Sequence, residues 1–197
     1  MVTDRGFAEF KDIYQFARNS TGMNLDHENA ESFALHWARE FSNKDFEKFK
    51  DVFRYARNTN GFNLSDDSAV NFALEWVRDY DDRDFKQFKD VFRFAHNPGG
   101  MNLDYTHAFR FAHEWVRDHS ERDFGKFTKV FTYARNPEAM NLSFEFAVNF
   151  SLQWVREYAN RDFEKFKDIY RLARNPGGMN LTYEAAKTFA FRKMLDG

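Results

Sequence analysis

Hydrophobic residues recur along this chain at helical spacing, in two kinds of segment that alternate from one end to the other. One segment places them at i, i+3, i+6, i+7 and i+10, at Phe46, Phe49, Val52, Phe53 and Ala56. The next places them at i, i+3, i+4, i+7 and i+8, at Ala69, Phe72, Ala73, Trp76 and Val77. Both patterns are typical of one face of an amphipathic helix. They predict helices over about 46–57 and 66–80.

The pair of segments occurs five times with a constant period of 39 residues and no insertion or deletion. The period is counted from the first Phe of an F-x-x-F pair, at Phe7, Phe46, Phe85, Phe124 and Phe163. We therefore treat residues 1–197 as a single repeat domain. Repeats 1 to 5 are residues 7–45, 46–84, 85–123, 124–162 and 163–197.

Polar residues mark where each predicted helix begins and ends. The second helix of every repeat is preceded by an N-capping residue type, at Asp26, Ser65, Asp104, Ser143 and Thr182. The first helix is preceded by Asp84, Asp123 or Asp162 in repeats 3 to 5. It ends at Ala-Arg-Asn or its equivalent, where we expect the Asn to take the left-handed conformation that closes helices. A second loop Asn, such as Asn63, is expected to form a ladder of hydrogen bonds to the backbone.

One hairpin cannot bury both hydrophobic faces, so neighbouring repeats must stack. Burying each Trp would stabilise the stack by roughly 4–6 kcal/mol as an upper limit. The sequence thus predicts an all-α fold, a right-handed α-solenoid of five helix-turn-helix repeats. In pattern and spacing it resembles the tetratricopeptide and Sel1-like class of helical-hairpin solenoids. The resemblance implies an architecture and carries over no functional residues.

Composition narrows the function classes only a little. The chain has 29 Lys and Arg against 31 Asp and Glu, so its near-zero balance gives no general reason to expect binding to nucleic acid or anionic membrane. It has no Cys, which excludes disulfides and thiolate metal sites. No stretch has the length and apolarity of a membrane span, and the first residues do not read as a signal peptide. The default expectation is a cytoplasmic protein, with a signal removed earlier left open.

Candidate chemistry is sparse. The loop around Gly61 has Asp67 at the twelfth EF-hand position but lacks the Asp of the first and the apolar residue of the eighth. His107, His113 and His119 are spaced by six residues, which spreads them around a helix. Neither a nucleophile with a base nor a paired-carboxylate motif occurs. We therefore expect neither a metal, nor a cofactor, nor catalysis, while a pH-sensitive point at the histidines stays open.

Three functions remain. We expect a non-catalytic scaffold that binds a protein or peptide, because solenoids expose long continuous grooves. The alternative is a structural or self-assembling array, natural or engineered, without a dedicated ligand. Binding of single-stranded nucleic acid is less favoured, because arginines such as Arg78 have acidic neighbours, here Glu75 and Asp79.

One repeat departs from the others on the first helix. Repeats 2, 3 and 5 share a face that we expect to be exposed, formed by Lys50, Asp51 and Arg54 or by their equivalents Lys89, Asp90 and Arg93, and Lys167, Asp168 and Arg171. Repeat 4 has small residues there, and its loop has lost a glycine that the other repeats keep. We predict that a partner or a second copy docks at this face. The candidate residues are Gly125, Thr128, Lys129, Thr132, Arg54 and Arg93.

Overall fold

A computed structural model describes residues 4–195, and the described chain is entirely helical apart from its loops. Ten helices follow one another in the described residues. Their bounds are α1 Asp4–Arg18, α2 His27–Glu40, α3 Phe46–Arg57, α4 Asp66–Asp79, α5 Phe85–His96, α6 Tyr105–Asp118, α7 Phe124–Arg135, α8 Phe144–Glu157, α9 Phe163–Arg174 and α10 Tyr183–Leu195. Each repeat contributes two consecutive helices. The predicted bounds in repeat 2 are confirmed to within one residue.

The chain divides into two compact units, residues 1–85 and 86–197, which we call the N-terminal body and the C-terminal body. In the N-terminal body, α1 packs against α2 and α3 against α4. In the C-terminal body, α7 packs against α8 and α9 against α10. Ring contacts from Phe88 to His113 at 4.8 Å and from Phe92 to Tyr105 at 5.5 Å show that α5 and α6 run antiparallel. The fold is consistent with an α-solenoid of helical-hairpin repeats.

All five predicted N-caps of the second helices are confirmed. Asp26 and Asp104 accept the backbone N–H three residues ahead at 2.8 and 2.9 Å. Ser65, Ser143 and Thr182 do the same at 3.4–3.5 Å. The first helices are capped in the same way by Asp45, Asp123 and Asp162. These bonds satisfy backbone donors that a helix start otherwise leaves without partners, so the repeat's polar residues fix where its helices begin.

The loop between the two helices corrects the expectation for its asparagines. The first Asn has ordinary extended backbone, with φ of −65° at Asn58, and its side chain accepts the N–H of Asn60 at 2.8 Å. The left-handed residue is the second one, Asn63, with φ of 52°. Its equivalents are also left-handed, at Asn24, Asn102, Asn141 and Asn180. The second Asn is therefore kept for its backbone conformation, which Asn adopts more readily than most residues, and not for a ladder.

A glycine in the same loop is required by close packing. A Cβ at Gly61 would lie 1.9 Å from the carbonyl oxygen of Tyr55, and the equivalent glycines in repeats 1, 3 and 5 are similarly crowded. Repeat 4 has Ala139 at this position. There the carbonyl of Tyr133 accepts the N–H of Asn136 at 3.3 Å, whereas the carbonyl of Tyr55 accepts that of Phe62. The loop of repeat 4 therefore lacks the bond that Phe62 makes to Tyr55 but keeps the other backbone bonds of this loop.

The core is built on the four tryptophans, each at most 1% exposed. Each packs edge-on against the first Phe of the following repeat, as Trp154 does on Phe163 at 4.7 Å. In repeats 1 to 4 the aromatic residue near the end of the first helix contacts the next repeat. Phe16 contacts the ring of Phe53 at 5.8 Å, and Tyr133 contacts that of Phe163 at 5.7 Å. Adjacent repeats are thus held together by edge-to-face aromatic pairs.

Candidate docking groove

The predicted exposed face of the first helices is only partly exposed. Asp51 and Arg54 are exposed, but Lys50 is 8% exposed, and its equivalents Lys89 and Lys167 are half-buried. The expectation of an exposed Lys was therefore wrong. The reason is that the long apolar part of the Lys side chain lies along the junction with the preceding repeat, while its ammonium group meets acidic residues.

In the N-terminal body, Lys50 and Arg54 cover the aromatic rings at the junction between repeats 1 and 2. Lys50 lies over the ring of Phe46 at 5.2 Å and forms an ion pair with Asp12 at 3.3 Å and another with Glu47. Arg54 lies over the ring of Phe16 at 5.5 Å. Phe16 is accordingly only 8% exposed. The two cations shield the rings from water and gain a cation–π attraction.

The same cover is present over repeat 5 in the C-terminal body. The ammonium group of Lys167 lies 5.7 Å from the ring centroid of Tyr133 and 5.6 Å from that of Phe163. It pairs with Glu164 at 2.5 Å. Tyr133 is 9% exposed beneath it. A basic residue on each of these first helices thus closes the junction with the repeat before it.

Repeat 4 lacks this cover. Thr128 and Thr132 occupy the positions of Lys50 and Arg54, and Thr128 donates its hydroxyl to the carbonyl of Gly125 at 2.9 Å. Phe94, which is equivalent to Phe16, remains half-buried. A groove of about 540 Å³ opens there, lined among others by Phe94, Thr128, Lys129, Thr132, Tyr133 and Lys167. We call it the docking groove.

Of the six predicted site residues, Thr128, Lys129 and Thr132 come together on the rim of the docking groove. Gly125 is exposed one turn earlier on α7, outside the lining. Arg54 belongs to the N-terminal body and Arg93 to α5, and each lies within 4 Å of an aspartate three residues before it, Asp51 or Asp90. Their predicted role in binding stays a prediction.

Lys129 reverses the charge at its position. The equivalents in repeats 2, 3 and 5 are all aspartates, Asp51, Asp90 and Asp168. Lys129 is exposed at the mouth of the groove and also borders a smaller opening of about 220 Å³ toward Trp154. The docking groove therefore joins an aromatic floor to a rim that carries Lys129 and the ion pair of Lys167 with Glu164.

Sequence reasoning did not identify a second feature beside the groove. Tyr133 and Tyr170, whose rings are in edge-to-face contact at 6.4 Å, have buried hydroxyls whose O–H groups have no acceptor, with Arg171 and Arg174 beside the hydroxyl oxygens. Burial raises the pKa of Tyr133 to about 12, against the opposing charge of Arg171. Burial also raises the pKa of Tyr170. A buried polar group without a partner destabilises the fold by about 1–3 kcal/mol, so two together call for an explanation.

A comparison of the repeats in the sequence could have identified the unusual tyrosine pair. The pair of Tyr133 and Tyr170 is equivalent to Phe16 with Phe53 and to Phe94 with Phe131 at two other junctions. The ring centroids of those Phe pairs are 5.8 and 5.9 Å apart. These pairs are edge-to-face like the tyrosines but have no hydroxyl. Of the junctions between consecutive repeats, the sequence puts Tyr at both positions only here. The burial of the hydroxyls, however, required the structure.

Two histidines of the C-terminal body take part in contacts within repeat 3. His96 replaces the Arg at the end of the first helix and keeps its bond, from Nδ1 to the carbonyl of Leu103 at 2.9 Å. Burial, with a smaller contribution from Arg117, lowers the pKa of His113 to about 4.

Across residues 4–195, no three His, Asp or Glu side chains are grouped as a metal ion would need. In the same residues no helix is long and apolar enough to cross a membrane.

Comparisons with models of protein families, with curated proteins and with solved structures found no match to this chain.

Proposed function

We propose that this protein is a non-catalytic helical-repeat scaffold that binds a segment of another protein in the docking groove of repeat 4. One observation carries the proposal: the replacement of the covering Lys and Arg by Thr128 and Thr132 above Phe94. At the junctions of Phe16 and Tyr133, by contrast, basic side chains lie over the aromatic rings. At the junction of Phe94 an apolar surface is left open, which is a feature of binding surfaces.

The size and chemistry of the groove support a peptide side chain as its occupant. A volume of about 540 Å³ lies within the usual range for pockets that take a side chain or small ligand. The aromatic floor offers a site for one apolar anchor, and such anchors supply most of the affinity in protein interfaces. Lys129 at the rim favours a segment with negative charge near that anchor, whereas the charge of Lys167 is already paired with that of Glu164.

Selection of binders from a random peptide library displayed on phage tests the proposal. We expect the intact chain to enrich peptides with an apolar residue near acidic ones. Thr128→Lys with Thr132→Arg restores the cover and should weaken the selected peptides at least 10-fold. Thr106→Lys with Asn149→Arg adds the same charges at exposed positions of α6 and α8 outside the groove, and should leave binding unchanged. Equal binding by the two double variants would overturn the proposal.

A second candidate function, self-assembly into an array, is favoured by the apolar faces of repeats 1 and 5. Phe7 is 65% exposed, whereas its equivalent Phe46 is 8% exposed. Leu172 and Met179 are 58% and 44% exposed, whereas their equivalents Tyr133 and Met140 are buried. A second copy could stack its Phe7 on Leu172 as Phe163 stacks on Tyr133. A head-to-tail contact of this kind does not close on itself and produces open chains.

Sedimentation velocity over a range of protein concentrations distinguishes the two functions. Self-assembly predicts concentration-dependent growth beyond a dimer, lost in Leu172→Lys and retained in Thr128→Lys with Thr132→Arg. A monomer at all concentrations, up to hundreds of micromolar, would eliminate the array. Peptide capture by the groove does not depend on this result.

A further inference from the structure

The two tyrosines lie in a small polar notch that adjoins the docking groove. The notch has a volume of about 360 Å³ and is lined among others by Tyr133, Tyr170, Arg171, Arg174 and Glu138. Tyr133 also lines the docking groove, so its ring forms a wall of both. We call this space the tyrosine notch.

The hydroxyls of the tyrosine notch are potential donors whose partner is not part of the fold. Tyr133 is 9% exposed and Tyr170 is 1% exposed, and neither phenolic O–H has an acceptor, although the guanidinium groups of Arg171 and Arg174 lie beside the two hydroxyl oxygens. Both phenols are protonated near neutral pH, as an ordinary tyrosine is, and burial raises the pKa of each further. The equivalent Phe16–Phe53 pair in the N-terminal body has the same edge-to-face contact without hydroxyls. The packing of the junction therefore does not require them.

Two arginines complete a set of donors. Arg174 donates one N–H to the carbonyl of Leu181 at 2.8 Å, and Arg171 lies 3.6 Å from Asp168. A guanidinium has five N–H donors, so both keep donors for another ligand. Both side chains are exposed, and Arg171 is 65% exposed. Rearrangement of these flexible side chains lets a ligand approach the hydroxyls behind them.

A ligand for this set must accept several hydrogen bonds and carry negative charge. A carboxylate has two acceptor oxygens with the geometry that a guanidinium matches in pairs. A phosphate dianion fits less well, because Glu138 lines the notch and Asp168 pairs with one of the two arginines. The charge of the surrounding groups thus favours a single negative charge over two.

We propose that the tyrosine notch binds the carboxylate of an Asp or Glu side chain in the same segment whose apolar residue occupies the docking groove. This inference rests on the proposed function and names the chemistry of the partner: an acidic residue close in sequence to an apolar anchor. The phenolic hydroxyls of Tyr133 and Tyr170 and the guanidinium groups of Arg171 and Arg174 donate to its oxygens. Specificity follows, because only a segment with the carboxylate supplies acceptors for O–H groups that are unpaired in the free protein.

The notch can be tested apart from the groove with glutarate as a free carboxylate probe. We expect glutarate to shift the NMR signals of the Arg171 and Arg174 Nε–H groups and of both tyrosine rings, with saturation. Tyr133→Phe with Tyr170→Phe should weaken glutarate at least 10-fold without lowering stability, since the Phe pair is what other junctions use. Thr128→Lys with Thr132→Arg should leave glutarate binding unchanged, because neither position lines the notch.

The two proposals fail in different ways. If library peptides bind through the groove but tolerate Glu→Gln and Asp→Asn changes, the notch inference is overturned and the docking function stands. If glutarate shows no saturable shift, or binds the double Phe variant equally, the notch holds no carboxylate. Inorganic phosphate is the second probe, and tighter binding of phosphate than of glutarate would overturn the choice of carboxylate. If no peptide is selected, the docking function fails, and with it the assignment of the carboxylate to a docked segment.

Discussion

The ammonium group of Lys167 lies 5.7 Å from the ring centroid of Tyr133, whereas Thr128 takes the place of that Lys one repeat earlier, beside Phe94. This single difference separates a closed junction from an open one within the same repeated fold. Within near-identical repeats, a change of covering side chains is therefore enough to make one junction differ from the others. The first prediction concerns the stability of that junction.

Restoring the cover should have little effect on stability. Thr132 is exposed and Thr128 is half-buried with a hydroxyl bonded inside its own helix turn. Thr128→Lys with Thr132→Arg should therefore change the free energy of unfolding by no more than about 0.5–1 kcal/mol, as for most surface changes. Urea unfolding followed by circular dichroism measures it. A larger loss would mean that the threonines support the fold itself, and the loss of peptide binding could then not be assigned to the groove.

A core residue should contribute more to the free energy of unfolding than a helix cap. Trp76 is fully buried, and Trp76→Ala should destabilise the chain by about 3–5 kcal/mol through lost burial and a cavity. Ser65 caps α4 through a long bond of 3.4 Å to the N–H of Ser68, so Ser65→Ala should lower stability by about 1 kcal/mol. Denaturant melts of the two variants give the comparison. The reverse ranking would contradict the assignment of Trp76 to the core.

Stability should fall as the pH drops from about 6.5 toward 4, because of His113. Its pKa in the folded state is about 4, mainly through burial among Phe88 and Phe109, and an unfolded His titrates near ~6.5. Folding favours the neutral form of His113. The stability that His113 contributes is therefore fully present above pH ~6.5 and is lost at lower pH, as the unfolded chain takes up the proton. With allowance for the partly exposed ring, the loss is about 2 kcal/mol.

His113→Leu provides the control for this pH dependence, since Leu35, Leu74 and Leu152 occupy the equivalent positions. The pKa of His119 is also lowered, mainly by burial, so the variant should keep a smaller slope in the same pH range. The measurement is the free energy of unfolding in urea at pH 4.5, 5.5 and 7. An unchanged slope in the variant would show that His113 is not the group that titrates.

The interhelical loops should respond oppositely to exchange of Gly and Ala. Gly61→Ala places a Cβ 1.9 Å from the carbonyl oxygen of Tyr55 and should destabilise by about 1–3 kcal/mol. Ala139→Gly, at the equivalent position, should change stability by less than about 1 kcal/mol, because that loop already accommodates a Cβ and lacks the bond to the Tyr133 carbonyl that the Cβ would crowd. Thermal unfolding of both variants tests this. Equal tolerance of Ala at position 61 would show that its loop can give up the same bond as the loop of repeat 4.

The helices, their caps and the packed tryptophans could be predicted from the sequence because they depend on local patterns. The capping bond of Asp26 to Asn29 joins residues three apart, and the burial of Trp37 follows from the spacing of apolar residues on one helix face. Repetition strengthens such signals, because five occurrences of the same pattern have to satisfy the same fold. Since each repeat contacts only its neighbours, the local pattern and the period are enough to predict the architecture.

The tertiary structure decided what lies between repeats. Composition suggested that Lys50 faces water, but its side chain is buried over Phe46 with Asp12 from the preceding repeat beside it. Likewise, the spacing does not show that the hydroxyls of Tyr133 and Tyr170 are buried together without partners. Exposure and hydrogen bonding depend on distances between side chains of different helices, and one helix's periodicity does not contain those distances. The sequence alone therefore determined the repeated hairpin and its core, whereas packing between neighbouring repeats decided where the surface opens.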